Sequence, residues 1–403
     1  MILGRRAFRS VLEVPGSLDL AVVIVPKANV LGVVEECGKK RVPAVVVISS
    51  GFSEVGDDKS EQDLRNVARA YRLRLIGPNC LGILVPKTKL DTIFLPRSRF
   101  KRPPDGGIAF ISQSGAVASC TLDLMAKDGT GISKFVGYGN GADVREKDLL
   151  EALAQDKDTR VICMYLEGLK DGRTFLETAK RLTKEKPIVV LKGGTSQFGA
   201  AAVASHTAAL AGSGDVFRGA CKQAHIAYAE TLEEMYDYAK IFDKSMKPRG
   251  RHVQIVTNGG GYGIMCADAL QKHSMHLAEL SQATTKQLQR VLPEIAIVRN
   301  PMDLTGGATT EEFADVLGAC VADKHIDIVI AITLLQTPLV TPDIVDVLVK
   351  LHRLRKKPLV VVSSGGNFTE IHRVALESAG VPTYTFPENA VRALKALCDY
   401  HRC

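Results

Sequence analysis

Along the chain, short runs of Val, Ile and Leu alternate with amphipathic stretches of roughly ten to fifteen residues, the spacing of βα units built around parallel sheets. The pattern predicts strands at Leu20–Val25, Ala44–Ser49, Leu73–Ile76, Ile108–Ile111, Val161–Tyr165, Ile188–Leu191, Val253–Val256, Ile328–Ile332 and Leu359–Val362. Most of them end in turns of small or helix-breaking residues: Val25-Pro26, Ser49-Ser50-Gly51-Phe52, Gly77-Pro78-Asn79-Cys80, Ser112-Gln113-Ser114-Gly115, Thr257-Asn258-Gly259-Gly260-Gly261 and Ser363-Ser364-Gly365-Gly366. In open α/β sheets ligands bind beyond the carboxyl ends of the strands, so function is expected in these turns.

Two polar, Pro- and Gly-containing stretches read as linkers, Lys101–Gly107 and Lys244–Arg251. They divide the chain into domains at 1–103, 104–247 and 248–403, each expected to be α/β with a doubly wound parallel sheet. The first offers three or four strands after an amphipathic turn at Arg6–Leu18. A sheet so small exposes an apolar edge that proteins usually cover, so about one βαβ unit is expected to be missing at the amino end.

Composition narrows the class. With 46% hydrophobic and 24% charged residues, the 403-residue chain is neither intrinsically disordered nor a coiled coil. Apolar runs such as Ala44–Ile48 and Ile328–Leu335 stay below ten residues, so no transmembrane helix is expected, and the absence of a signal-like segment points to the cytoplasm. Nine dispersed cysteines without CxxC or zinc-type spacing indicate neither a disulfide framework nor a metal site, and read as mostly buried thiols. A net charge of +8 suggests an anionic partner, but the 52 basic and 44 acidic residues are interspersed, aromatics are 5% and Trp is absent. That favours a phosphorylated small molecule over nucleic acid, with charge serving solubility as the plainer alternative.

Three turns carry candidate chemistry. Ser112, Gln113, Ser114 and Gly115 lead from a strand into a helix, where free N–H groups attract phosphate, although a plain turn with a serine cap fits equally. His206 follows about fifteen residues rich in Gly, Ala and Ser after the strand ending at Leu191, a loop expected to swing. A neutral imidazole is a good phosphoryl acceptor, while a lone histidine also serves as a structural residue. Glu167, ending a buried-looking strand, either orients that imidazole or caps a turn.

The chain resembles the α subunit of the nucleoside-diphosphate-forming acyl-CoA synthetases, typified by ADP-forming acetyl-CoA synthetase, with succinyl-CoA synthetase α more distant. The resemblance rests on Ile76-Gly77-Pro78-Asn79-Cys80-Leu81-Gly82-Ile83, Ile111–Ala116, Gly137-Tyr138-Gly139-Asn140-Gly141-Ala142-Asp143-Val144, Tyr165-Leu166-Glu167-Gly168, Ser205-His206-Thr207 with Leu210-Ala211-Gly212, Val256–Gly261 and Asn300-Pro301-Met302-Asp303-Leu304-Thr305-Gly306, in family order across essentially the whole chain. It implies a partial Rossmann-like CoA-binding domain followed by two flavodoxin-like domains. It also implies a reaction in which acyl-CoA and phosphate give acyl phosphate and CoA, the phosphoryl group moves to a histidine, and ADP or GDP receives it. On that resemblance His206 is the phosphohistidine, Glu167 its orienting acid, and Ser112–Gly115 the phosphate cradle. Gly139 and Asn140 lie near the acyl group, and Pro26, Ile48, Ser49, Ser50, Asn79 and Cys80 face CoA. A separate ATP-grasp β subunit is expected to bring ATP or ADP with Mg, giving an α/β hetero-oligomer that acts on CoA and a small carboxylic acid, without a prosthetic group, nucleic acid or membrane partner.

Some features depart from that family pattern. The family's opening strand and CoA-phosphate turn precede the segment with which this chain begins, which places CoA binding in question, and Ala208 stands where a glycine is usual. A truncated relative with a regulatory or CoA-sensing role is therefore a second reading. A nicotinamide-cofactor reading of Gly259–Ala267 with Glu279 is a looser match than a plain Gly-rich turn. Asn258–Gly261 and Asn300-Pro301 are taken as turn chemistry, and the remaining eight histidines as structural or surface residues.

Overall fold

The structure, a computed structural model, describes residues 3–207 and 213–403, with the backbone alone described for 204–207. Two compact units partition the chain: 1–124 with 132–228, and 125–131 with 229–403.

The first unit runs β1 (Leu20–Val23), α1 (Lys27–Lys39), β2 (Ala44–Val47), α2 (Asp58–Tyr71), β3 (Arg74–Ile76), β4 (Gly82–Val85), β5 (Leu90–Asp91), β6 (Asp105–Ser112), α3 (Gly115–Asp128), β7 (Ile132–Gly137), α4 (Glu146–Gln155), β8 (Val161–Leu166), α5 (Gly172–Leu182), β9 (Ile188–Lys192), α6 (Gln197–Thr207), α7 (Gly214–Gln223) and β10 (Ala227–Ala229). Strands β1-β2-β3 form a small parallel sheet, and a seven-stranded sheet has the order β10-β9-β8-β6-β7-β4-β5. In the larger sheet β6, β8 and β9 are buried almost end to end, the signature of parallel strands covered on both faces. Helix α5 shows the complementary pattern: Asp171 caps it by accepting the Thr174 N–H at 3.0 Å, and Phe175, Thr178, Ala179 and Leu182 form its buried stripe.

The second unit adds α8 (Leu232–Lys244), β11 (His252–Thr257), α9 (Gly260–Lys272), β12 (His276–Leu277), α10 (Gln282–Val291), β13 (Met302–Asp303), α11 (Thr310–Ala322), β14 (Ile328–Ile332), α12 (Ile344–Arg353), β15 (Leu359–Val362), α13 (Asn367–Ser378), β16 (Thr383–Tyr384) and α14 (Pro387–His401). Its parallel sheet has the order β12-β11-β14-β15-β16, with β13 also on β11. Helix α11 begins with a reciprocal cap between Thr309 and Glu312. Its Phe313, Val316, Leu317 and Cys320 pack into the core with Val329 and Val361. A fully buried carboxylate, Glu377, is bonded by Lys244 and lies 3.8 Å from Lys240. Burial favours its neutral form, but the two ammonium groups outweigh that and hold its pKa below the usual range.

All nine expected strands are present, several shifted by a residue or two. Strands β4, β5, β7, β10, β12, β13 and β16 were not anticipated. Four of these have two residues, too short for any periodicity, and β7 carries Ser133 and Lys134, whose side chains bond Thr159 and Asp156.

Three expectations are corrected. The hairpin β4–β5, grouped by sequence with the first domain, pairs antiparallel with β7 of the larger sheet, so that sheet is mixed. The supposed linker residues Asp105, Gly106 and Gly107 open β6. The Gly- and Ala-rich stretch before His206 is mostly α6, because alanine is the best helix former and Ser196 caps the helix by accepting the Gly199 N–H at 3.1 Å. Strand β1 lies at an edge of its sheet, with Val22 exposed and Ile24, just beyond its end, exposed as well. Seven of the nine cysteines are buried. Among the described residues no helix is long and apolar enough to cross a membrane.

Candidate functional site

Strands β8, β6 and β7 are neighbours, and their registers align Ser112 with Tyr165 on one side and Gly137 on the other. The turn after β6 is therefore level with Glu167 after β8 and with Gly139 and Asn140 after β7. Parallel pairing brings three separately expected groups together at one end of one sheet.

The β6 turn is tightly organised. Ser112, fully buried, donates through Oγ to the Ser114 carbonyl at 2.8 Å and accepts the Ser114 N–H at 3.2 Å. Ser114 Oγ in turn accepts the Val117 N–H at 3.4 Å at the start of α3. Gly115 and Ala116 begin that helix, where N–H groups have no intrahelical acceptor and the helix dipole favours an anion. Gln113 faces the other way. Its Nε2 donates to the Gly168 carbonyl at 2.9 Å, and its Oε1 accepts the N–H groups of Glu167 and Gly168. Its backbone N–H donates to the Tyr165 carbonyl at 3.2 Å. Of the four expected cradle residues, Gln113 thus spends its side chain on the neighbouring turn.

Glu167 is buried one residue beyond β8. Its carboxylate is hydrogen-bonded to the Tyr165 hydroxyl, and burial together with that negative charge pushes the phenol up to about 12. Lys192, at the end of β9, donates to the carbonyls of Glu167 at 3.0 Å and Gly193 at 2.9 Å. Burial lowers its pKa while Glu167 opposes the shift. The backbone of His206 lies in the last turn of α6, which packs against the short 3-10 turn Ser53–Val55. The imidazole, its pairing with Glu167, and the 208–212 segment with Ala208 and Leu210-Ala211-Gly212 lie outside the described residues.

After β7 the chain turns at Gly139, whose φ is +52° and where a β-carbon would overlap the Pro78 and Asn79 carbonyls. Asn140 is held on every side. Its Nδ2 donates to Glu54 at 2.6 Å and Glu61 at 2.9 Å, Oδ1 accepts from Asn79 at 3.3 Å, and its N–H donates to the Pro78 carbonyl at 3.1 Å. Lys170, three residues past Glu167, donates to Glu61 and to the Asn140 carbonyl, each at 3.2 Å. Burial works to raise the Glu61 pKa, but hydrogen bonds from Ser53 and Asn140 and the Lys170 charge bring it below the ordinary value.

The residues expected to face CoA gather at the ends of β1, β2 and β3, with different availability. Pro26 and Ser50 are exposed and Ile48 is half-buried. Ser49 fastens the ends of β1 and β2, donating to the Val25 carbonyl at 2.6 Å and accepting its N–H at 3.2 Å. Asn79 is committed to Asn140, and Cys80 is turned inward with Sγ 3.2 Å from the Val47 carbonyl, its thiol pushed up by burial to about 12.

Glu54, Glu61, Lys170 and Lys192 were not singled out from sequence. Lys192 carried a usable signal, a charged residue closing the apolar run Ile188–Leu191, and so did Lys170, a charge inside a strand-end turn. In the second unit, the Gly259–Gly261 turn is braced from within: Asn258 bonds Leu334 and Thr337, Thr257 Oγ1 accepts the Gly259 N–H at 3.0 Å, and Asn300 bonds Val253, Ile255 and Ala278. These are the roles assigned to Asn258 and Asn300 as turn chemistry.

Three family models match in tandem: a CoA binding domain at 1–86, a succinyl-CoA ligase like flavodoxin domain at 105–242 and a ligase-CoA domain at 253–402. The α subunit of acetate–CoA ligase (ADP-forming) II from Pyrococcus furiosus is 38% identical over 98% of this chain and 86% of that relative. The 4-hydroxybutyrate–CoA ligase (ADP-forming) of Nitrosopumilus maritimus is 37% identical over 98% of this chain, which spans 57% of that longer relative. The solved structure of a Ca. Korarchaeum cryptofilum dinucleotide-forming acetyl-coenzyme A synthetase, in complex with phosphate and ADP, superposes with a TM-score of 0.92 at 33% identity, covering all of this chain and 87% of that one. These comparisons lend no support to the regulatory or dehydrogenase alternatives. The chain belongs to the nucleoside-diphosphate-forming acyl-CoA synthetases and is of their ADP-forming, α-subunit type.

Proposed function

We propose that this chain is the α subunit of an ADP-forming acid–CoA ligase, with His206 as its phosphoryl carrier. The observation that carries the reading is the shared level of three turns: Ser112–Gly115 at the start of α3, Glu167 after β8, and Gly139–Asn140 after β7. In this reading inorganic phosphate is held at the start of α3 by backbone N–H groups and attacks the acyl-CoA carbonyl. The C–S bond breaks, CoA leaves as thiolate, and acyl phosphate remains. An imidazole nitrogen of His206 then attacks phosphorus and the free carboxylate departs. Glu167 fixes the imidazole tautomer so that the attacking nitrogen carries its lone pair. Tyr165 and Lys192 hold Glu167 in turn.

Within the first domain, 1–103, the small sheet β1-β2-β3 is assigned to CoA, with Pro26 and Ser50 as its most accessible contacts. The segments 104–247 and 248–403 form the ligase part. An ATP-grasp β subunit supplies the Mg-nucleotide site that receives the phosphoryl group, and the assembly is cytoplasmic. The acid is a small carboxylic acid; the relatives' names include acetate and 4-hydroxybutyrate.

The test is to co-express the chain with its β partner, incubate the complex with γ-labelled ATP and Mg, and map the label. Acid-labile, base-stable label on the peptide containing His206, absent in His206→Ala, is the expected result. A folded complex that takes no label, or a His206→Ala variant that turns over normally, overturns the reading.

A further inference from the structure

Asn140, assigned above to the acyl group, has no donor left to offer a substrate. Both hydrogens of its amide are spent on carboxylates, Glu54 at 2.6 Å and Glu61 at 2.9 Å. Its backbone N–H is spent on Pro78. What remains is carbonyl-type oxygen, beside two acidic side chains. Glu54 is itself fastened to the turn after β2, accepting the N–H groups of Gly51 and Phe52. An edge so rich in acceptors would repel a carboxylate or an acyl phosphate unless a cation faced it.

The arrangement supplies one. Lys170 leaves the turn after β8, and its ammonium reaches Glu61 and the Asn140 carbonyl after β7, each at 3.2 Å. Because β6 lies between β8 and β7, this bond joins the turns on either side of β6, whose own turn, Ser112–Gly115, begins α3. An ammonium has three hydrogens. Two are used in these bonds, and the side chain stays 48% exposed. Glu61, by contrast, is buried, and its two oxygens also accept from Ser53 at 2.5 Å and face Arg65 at 3.7 Å. The Arg65 guanidinium is committed elsewhere, to the Ala142 carbonyl at 2.8 Å and Gln62 at 3.0 Å. Lys170 is thus the cation whose reach and remaining hydrogen suit an incoming anionic oxygen, and Glu61 is the group that sets its direction.

Resting on the reading that Gly139 and Asn140 border the acyl group, we propose that Lys170 is a further binding residue for the acid and its acyl phosphate, and that Glu61 is its positioning residue. Asn140 becomes the keystone that joins the two acidic side chains to Lys170.

The experiment uses the complex with the β partner, with acetate as the acid. The KM for acetate is measured in Lys170→Met, Lys170→Arg, Glu61→Gln and the double variant Lys170→Met/Glu61→Gln, with labelling of His206 from ATP followed in each. Loss of a charge-assisted hydrogen bond predicts a KM for acetate raised about tenfold to a hundredfold in Lys170→Met. Recovery of part of the affinity is expected in Lys170→Arg, a smaller rise in Glu61→Gln, and a double variant no worse than Lys170→Met, with labelling retained throughout. Retained labelling with a KM for acetate within twofold of wild type in Lys170→Met overturns the assignment and leaves the phosphohistidine reading standing. Additive effects in the double variant overturn the positioning role of Glu61. Parallel loss of labelling and acetate turnover marks a structural role and also overturns it. Absence of label in the wild-type complex removes the underlying reading, and this assignment with it.

Discussion

Gln113 and Gly168 exchange two hydrogen bonds: the Gln113 side chain donates to the Gly168 carbonyl at 2.9 Å and accepts its N–H at 3.0 Å. A side-chain amide here does what a strand neighbour would do, and it fixes the turn before α3 against the turn that carries Glu167. Gln113→Glu keeps the size but sets a carboxylate oxygen against that carbonyl. Displacing reacting groups by about an ångström costs on the order of a hundredfold, so phosphoryl transfer to His206 should slow by about that factor. Rapid-quench labelling measures it, and an unchanged rate would mean that the two turns need no common register.

Glu167→Gln preserves the shape of a buried side chain while removing its charge. If the carboxylate orients the imidazole and stabilises the imidazolium-like transition state, labelling of the chain should slow by about a hundredfold or more. The Tyr165 phenol, pushed up to about 12 by burial and by Glu167, should then titrate at lower pH, because one of its two causes is gone. Ultraviolet difference titration of the variant reads this; a phenol unmoved in the variant would separate Glu167 from Tyr165.

Gly139→Ala is expected to be poorly tolerated. The site combines a φ of +52° with two backbone carbonyls where the methyl would go. Left-handed strain and overpacking together should destabilise the fold by about 3 kcal/mol. A clear drop in the urea midpoint is expected, whereas Gly172→Ala, with open space around its Cα, should move it little.

Asp323 governs part of the acid response of the second unit. Burial disfavours its charge, but the N–H groups of His325 and Ser281, and the hydroxyls of Thr284 and Ser281, outweigh burial and hold its pKa at about 2. Because the folded-state value is depressed, the ionised form stabilises the fold above the ordinary carboxylate range. That contribution is lost as pH falls from near 4 toward about 2. Asp323→Asn should therefore be less stable than wild type at pH 6 and should lose less further stability between pH 5 and 2. Parallel pH dependences in the two proteins would contradict the assignment.

Much of the fold is legible in the sequence because its signals are local. Nine apolar runs became nine strands, and Asp171, Thr231 and Thr309 cap helices where short polar side chains precede amphipathic stretches. The Ala-rich segment before His206 shows the limit of reading small residues as a loop: its two large apolar residues, Phe198 and Val203, stand five apart and set no helical period, yet alanine favours α6 and Ser196 starts it.

The sequence by itself determined the order of βα units, the turns at their carboxyl ends and the residue types there, since each depends on neighbours a few positions apart. Tertiary structure alone decided which turns meet. Sheet order β8-β6-β7 sets Ser112 beside Tyr165 and Gly137, and recruits β4–β5 to the larger sheet. It also decided what each side chain has left to offer: Gln113 is spent on Gly168, Asn140 on Glu54 and Glu61, and Cys80 on Val47, while Lys170 keeps a hydrogen to give. Those outcomes follow from strand register and side-chain reach across the sheet, which couple residues up to 109 positions apart and leave no trace in local pattern.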